Sequence, residues 1–133
     1  MSLIVQKLDK DYPTRSGPLS VLRGVNLQLD RGDALAVMGP SGCGKSTLLH
    51  ILGTLDRPTG GEVWFDGENL TNKSDRDLAH FRNREIGFIF QFHHLLPDFT
   101  ALENVMMPAL IAGTAADTAR RRATELLSRV GLA

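Results

Sequence analysis

The chain has 133 residues, 42% apolar and 23% charged, a composition that can bury a real core in one domain or a piece of one. Its 15 basic residues equal its 15 acidic ones, which argues against a nucleic-acid surface or an acidic tail. A single cysteine, Cys43, excludes an internal disulfide and suits a reducing compartment. No apolar run approaches a membrane span and the start lacks a signal-peptide pattern, so a cytosolic place is expected, with any membrane met through a partner.

From the N-terminus, residues 2–8 read as a strand, and residues 10–20 (KDYPTRSGPLS) carry turn chemistry throughout, predicting a loop. Val25 to Leu29 alternate as a half-buried strand. Gly32-Asp33 then turns the chain into ALAVM (34–38), an apolar run suited to a strand covered on both faces. Lys45 to Thr54 reads as a helix with an apolar face of Leu48, Leu49, Ile51 and Leu52, ended by DRPTGG. Glu62 to Phe65 is a strand closed by the hairpin turn Asp66-Gly67.

Beyond that point the pattern becomes helical. Ser74 with Asp77, Thr100 with Glu103, and Thr114 with Asp117 each have the capping-box spacing that starts a helix. IGFIF (86–90) reads as another buried strand between the first two of these helices. The last helix is expected from about Ala115 to Val130, with Gly131 as its cap and Arg120-Arg121-Arg122 as a solvated face. A β-rich first part and a helical second part suggest an α/β core entering a helical subdomain.

The stretch GPSGCGKST (39–47) carries the chemistry. Gly39, Gly44, Lys45 and Ser46 satisfy G-x-x-x-x-G-K-[ST], the phosphate-binding loop. The glycines, Gly42 included, let successive backbone N–H groups turn inward as an anion nest around Pro40, Ser41 and Cys43. The following helix presents its positive end to the same phosphates. In such a loop Lys45 reaches the β- and γ-phosphates, Ser46 ligates magnesium, and Thr47 lies beside the α-phosphate. A helix N-terminus could lower the thiol pKa of Cys43, but a small residue serving through its N–H is the plainer reading.

Two other matches fail on context. NKSD (72–75) has the spacing of a guanine-recognition motif but follows the phosphate loop too soon and without a D-x-x-G between them. VWFD, ending at Asp66, looks like an apolar strand with a magnesium-binding aspartate, but Gly67 makes it a turn. A small P-loop kinase is the rival enzyme class, and the TGGEVWFDG hairpin speaks against it.

With these residues placed, VLRGVNLQLDRGDALAVMGPSGCGKSTLLHILGTLDRPTGGEVWFDGENL and FRNREIGFIFQFHHLLPDFTALENVMMP together resemble the first half of the ATPase domain of ABC transporters, along essentially the whole chain. The Q-loop text is most similar to the ATP-binding subunits that serve lipoprotein release; macrolide-export and cell-division transporters are the neighbouring alternatives. The resemblance implies an α/β P-loop NTPase core with an antiparallel β-subdomain over residues 1–91, and the Q-loop with the start of a helical subdomain over 92–133. It implies Mg²⁺ and ATP as ligands, Tyr12 as the aromatic that stacks on adenine, and Gln91 as the Q-loop glutamine that contacts magnesium and the attacking water. His93 to Glu103, with Leu95, Leu96 and Phe99, would line the groove that receives a membrane subunit's coupling helix, although about half of the leucines could simply be core. The implied assembly is a homodimer of ATPase subunits on the cytoplasmic face of the bacterial inner membrane, with no inserted segment.

The family's remaining machinery is not found in these residues: there is no L-S-G-G-Q signature, no apolar strand ending in Asp-Glu, and no later switch histidine. The expectation is therefore a truncated domain whose residues 1–133 bind ATP at most and do not turn it over alone. A non-catalytic nucleotide-binding module is the alternative from another class.

Overall fold

The computed structural model describes residues 2–132. The described chain divides after Leu78 into two compact units.

The first unit opens with a long hairpin, β1 (Ser2–Thr14) and β2 (Gly17–Asp30). Helix α1 (Lys45–Leu52), β3 (Gly60–Phe65) and the short β4 (Glu68–Asn69) follow. The sheet is antiparallel throughout, in the order β2-β1-β3-β4. The loop expected at 10–20 is mostly strand. Lys10 pairs with Leu22, Asp11 with Ser20, Tyr12 with Leu19, and only Arg15-Ser16 turn between the strands. Pro13 and Pro18 face each other near the hairpin end, where a missing N–H costs the ladder little.

A bulge in β1 decides which way its side chains point. Val5 and Leu8 are both in the core although they stand three positions apart, and the register slips between them. Lys7 takes a positive φ of 48° there and its N–H donates to Asn26 Oδ1 at 2.9 Å. Gly61 packs against this irregularity: a Cβ on it would lie 2.2 Å from the Lys7 carbonyl oxygen. One inserted residue shifts the inward parity from odd to even, so Leu8 and Lys10 are buried and Tyr12 is half-buried. Val5, Leu8, Leu22, Leu48, Ile51, Val63, Leu70 and Leu78 form the buried apolar set of this unit. On α1 the inward stripe is Leu48 and Ile51, at i and i+3; Leu49, expected on that face, is exposed.

Helix α2 (Asp75–Glu85) runs across the division. Its N-terminus is capped as the spacing predicts, with the Asp77 N–H donating to Ser74 Oγ at 3.2 Å. In the second unit α3 (Ala101–Ile111) carries a full Thr100–Glu103 capping box. Helix α4 (Ala116–Arg129) packs Ala119 and Ala123 against Met106, with Leu102, Val105 and Ala109 around them. Its cap differs from expectation: Ala115 occupies the N-cap and no side chain bonds there, so Thr114–Asp117 is not a capping box. At the other end Gly131 adopts φ 77°, its N–H bonding Ser128 and the Leu132 N–H bonding the Leu127 carbonyl, a Schellman termination.

Neither ALAVM nor IGFIF is a strand. Both runs lack ladder pairing, with Leu35 and Met38 exposed in one and Ile89 and Phe90 in the other. A strand exists only through a partner's hydrogen bonds, and among the described residues none pairs with either run.

Candidate functional site

The loop between β2 and α1 combines close approaches with positive φ angles that favour glycine. A Cβ on Gly39 would sit 2.7 Å from Cys43 Sγ. One on Gly44 would lie 3.0 Å from both Val21 Cγ1 and Leu22 Cδ2, and Gly44 is the left-handed N-cap of α1 at φ 95°. The loop is thereby seated on β2. With glycine at the N-cap no side chain bonds across the helix start, and the first turn holds no carboxylate. The leading N–H groups of α1 and the positive end of its dipole are left to an anion.

Lys45, the first helical residue, curls back over the loop. Its Nζ donates to the Gly39 carbonyl at 2.9 Å and the Pro40 carbonyl at 2.6 Å, and lies 3.8 Å from Cys43 Sγ. The ammonium thus stands over the concavity formed by Gly39 to Gly44, where a phosphate's charge would meet it. Ser46 is exposed and Thr47 half-buried on the same first turn, and Pro40, Ser41, Gly42 and Cys43 are exposed. This loop fits a polyphosphate: the leading N–H groups of α1 have no side-chain cap, no acid lies in its first turn, and the Lys45 ammonium lies against the loop carbonyls. Among the described residues no group of three or more His, Cys, Asp or Glu could hold a metal alone, so a cation at Ser46 would share its ligands with phosphate oxygens.

Tyr12 lies in strand β1 and not in a loop. Its partner Leu19 is two residues along β2 from Val21, the residue on which Gly44 rests, so the ring and the phosphate loop are served by one strand, roughly 7 Å apart along it. The Tyr12 hydroxyl donates to Asp56 Oδ2 at 2.8 Å, and the Lys10 ammonium lies 4.7 Å from the ring centroid. Lys10 Nζ also donates to Asp56 Oδ1 at 2.7 Å and to the Arg57 carbonyl at 2.6 Å. Burial alone would raise the Asp56 pKa, but hydrogen bonds from Lys10, Tyr12 and the Arg57 N–H, with the charge of Lys10, outweigh it and hold the carboxyl below its usual value. Asp56 and Lys10 were missed in the sequence. The only signal was a lysine two residues before the tyrosine in a stretch that reads as loop.

Gln91 and the segment to Glu103 belong to the second unit. Residues 91–100 are all exposed, Phe92, Leu95, Leu96 and Phe99 included, so none of these apolar side chains is core. Phe88 stacks on Phe90 at 5.2 Å between centroids, and His94, at φ 48°, meets Phe90 edge-on at 4.7 Å. Asn104 secures the turn before α3. Its Oδ1 accepts the Leu96 N–H at 2.9 Å and its Nδ2 reaches the carbonyls of Leu96, Phe99 and Thr100 at 3.0–3.1 Å. An asparagine in the first turn of an apolar helix, a poor helix former there, could have flagged this role.

Residues 22–133 match the family described as ABC transporter. The chain belongs to the ABC transporter family. It is 57% identical over 131 residues to the lipoprotein-releasing system ATP-binding protein LolD of Geobacter metallireducens, covering 98% of this chain and 58% of that protein. The LolD of Syntrophus aciditrophicus is 52% identical, with 96% of this chain and 57% of that protein covered. The structure superposes on the ATP-binding cassette MJ0796 in a dimeric post-hydrolysis state bound to ADP and Pi, at a TM-score of 0.87 and 38% identity, covering 95% of this chain and 56% of that one. This ABC transporter chain thus spans a little over half the length of the relatives it matches. Its α/β architecture of antiparallel sheet and helices is that of the ABC ATPase cassettes.

Proposed function

We propose that these residues are the nucleotide-binding part of an ABC transporter's ATP-binding subunit, one that couples ATP hydrolysis to the release of lipoproteins from the inner membrane. The observation that carries the nucleotide reading is the Lys45 ammonium held over the Gly39 and Pro40 carbonyls at a helix N-terminus free of acids. The identity to LolD proteins supports lipoprotein release within the family.

In this reading the N–H groups of residues 40–47 bind the phosphates, and Lys45 leaves the loop carbonyls for the β- and γ-phosphates. Gly39, Gly42 and Gly44 keep the cradle open, while Thr47 sits by the α-phosphate. Tyr12 offers its ring to adenine. Ser46 would hold Mg²⁺, which when bound would neutralise charge developing on the phosphates. By the family resemblance, Gln91 is the candidate to contact magnesium and the attacking water. Hydrolysis on this reading is performed by the ATP-binding subunit acting as a homodimer, which the dimeric structures of related cassettes support.

The exposed segment His93 to Glu103 is the proposed seat for membrane subunits, with Leu95, Leu96 and Phe99 as apolar anchors. No described helix is long and apolar enough to cross a membrane; attachment to the cytoplasmic face of the inner membrane would run through that seat. The test is reconstitution of the intact subunit with its membrane partners in proteoliposomes. ATP-dependent release of a lipoprotein, abolished by Lys45→Ala, supports the proposal. ATP turnover by the assembly without lipoprotein release would move the transporter to the export or cell-division branch.

A further inference from the structure

Tyr12 is not a free ring at the surface. Its hydroxyl is committed to Asp56 Oδ2 at 2.8 Å and one region of its π-surface to the Lys10 ammonium at 4.7 Å. Lys10 itself is buried, and its Nζ is held by Asp56 Oδ1 and the Arg57 carbonyl. Asp56 is further fixed by the Arg57 N–H at 2.7 Å. Arg57 in turn donates to the carbonyls of Thr71 and Lys73 and to Asp75 Oδ1 at 2.7–3.1 Å, anchoring the segment that follows α1. The helix whose first turn bears the phosphate cradle therefore leads directly into the group that grips the tyrosine.

We propose that Lys10 and Asp56 are positioning residues for the nucleotide base: by fixing the hydroxyl and backing the ring of Tyr12, they hold it in one pose as a preformed stacking platform for adenine. A ring free to turn about χ1 and χ2 loses that freedom when a base stacks on it; a ring already held does not, so the bonds lower the entropic cost of stacking. The network acts on the base and leaves the phosphates to the loop. The inference rests on the reading of Tyr12 as the base platform, and the test separates the two.

The intact subunit is titrated with Mg-ATP and, in parallel, with Mg-tripolyphosphate, which has the phosphates without a base. Four variants are compared with wild type: Tyr12→Ala, Tyr12→Phe, Asp56→Asn and Lys10→Met. Tyr12→Ala is expected to weaken ATP about tenfold or more, the scale of a lost base–aromatic stack, and to leave tripolyphosphate unchanged. Tyr12→Phe keeps the ring and loses the tie to Asp56; it, Asp56→Asn and Lys10→Met should each weaken ATP by about threefold, again without effect on tripolyphosphate. A merely structural role would weaken both ligands together.

If Tyr12→Ala lowers the ratio of ATP to tripolyphosphate affinity and the other three leave it at the wild-type value, the positioning role is wrong and the platform reading stands. If Tyr12→Ala itself leaves the ratio unchanged, the platform reading fails and this inference with it. Should Asp56→Asn or Lys10→Met not fold, Tyr12→Phe decides alone.

Discussion

Gly44 rests on Val21: a Cβ on the glycine would lie 3.0 Å from the valine Cγ1 and 3.1 Å from its carbonyl oxygen. The 39–44 loop is thus braced on β2 at Val21, at the point where the helix begins. Gly44→Ala meets both that wall and a φ of 95°, a left-handed conformation that costs a non-glycine residue about 1–3 kcal/mol. Urea unfolding should show a loss on that order, and titration should show ATP binding falling more steeply than stability, because the cradle moves with the residue.

Acid should unfold the first unit partly through Asp56. Its carboxyl is held below the usual 3.8 by its hydrogen bonds, so the folded state binds the proton less readily than the unfolded chain. The stability this contributes is fully present above the unfolded value and disappears as the pH falls through 3.8 toward the folded value. Unfolding followed against pH should therefore show a steeper acid limb in wild type than in Asp56→Asn, which should be less stable at neutral pH and converge on wild type in acid.

The turn before α3 depends on three polar side chains, Thr100, Glu103 and Asn104. Thr100 caps the helix reciprocally with Glu103, whose carboxyl is kept below its usual range first by the Thr100 N–H and then by the Thr100 hydroxyl. Thr100→Ala should cost about 1 kcal/mol, the usual worth of such a cap. Asn104→Ala frees the carbonyls of Leu96, Phe99 and Thr100. Hydrogen exchange should rise across 95–100 in that variant while α4 keeps its protection. If the segment seats a membrane subunit, the same change should weaken assembly with no effect on ATP affinity.

The exposed runs at 34–38 and 86–90 make a further prediction. Leu35, Met38, Ile89 and Phe90 are 52%, 88%, 103% and 44% exposed, in segments with free backbone edges. Residues 1–133 expressed by themselves should bind an apolar dye such as ANS and self-associate as concentration rises.

Much of this was legible in the chain because it rests on local chemistry. The glycine turn at 39–44 into α1, the Ser74 and Thr100 caps, the Asp66-Gly67 hairpin and the Gly131 termination are each decided within a few residues. ALAVM and IGFIF were misread for a physical reason: an apolar run states that it wants neighbours on two edges, not that they are there. The 10–20 stretch failed in the opposite sense, since its prolines and glycine are turn formers that a long hairpin tolerates near its end. The Lys10–Tyr12–Asp56 network was hidden because a bulge at Lys7 reverses the inward parity, and Asp56 is 44 residues from the tyrosine it holds. Long-range pairing of polar groups leaves no periodic trace.

The measurement that bears most directly on the account is calorimetric titration of Mg-ATP into the protein and into Lys45→Ala, with circular dichroism on both. The loop geometry predicts saturable binding to the first and binding at least about tenfold weaker to the second, with the fold unchanged, since a lost charge-assisted contact to phosphate is worth that much or more. Equal binding by the two, or none by either while both are folded, would contradict the assignment of residues 39–47 as the nucleotide cradle.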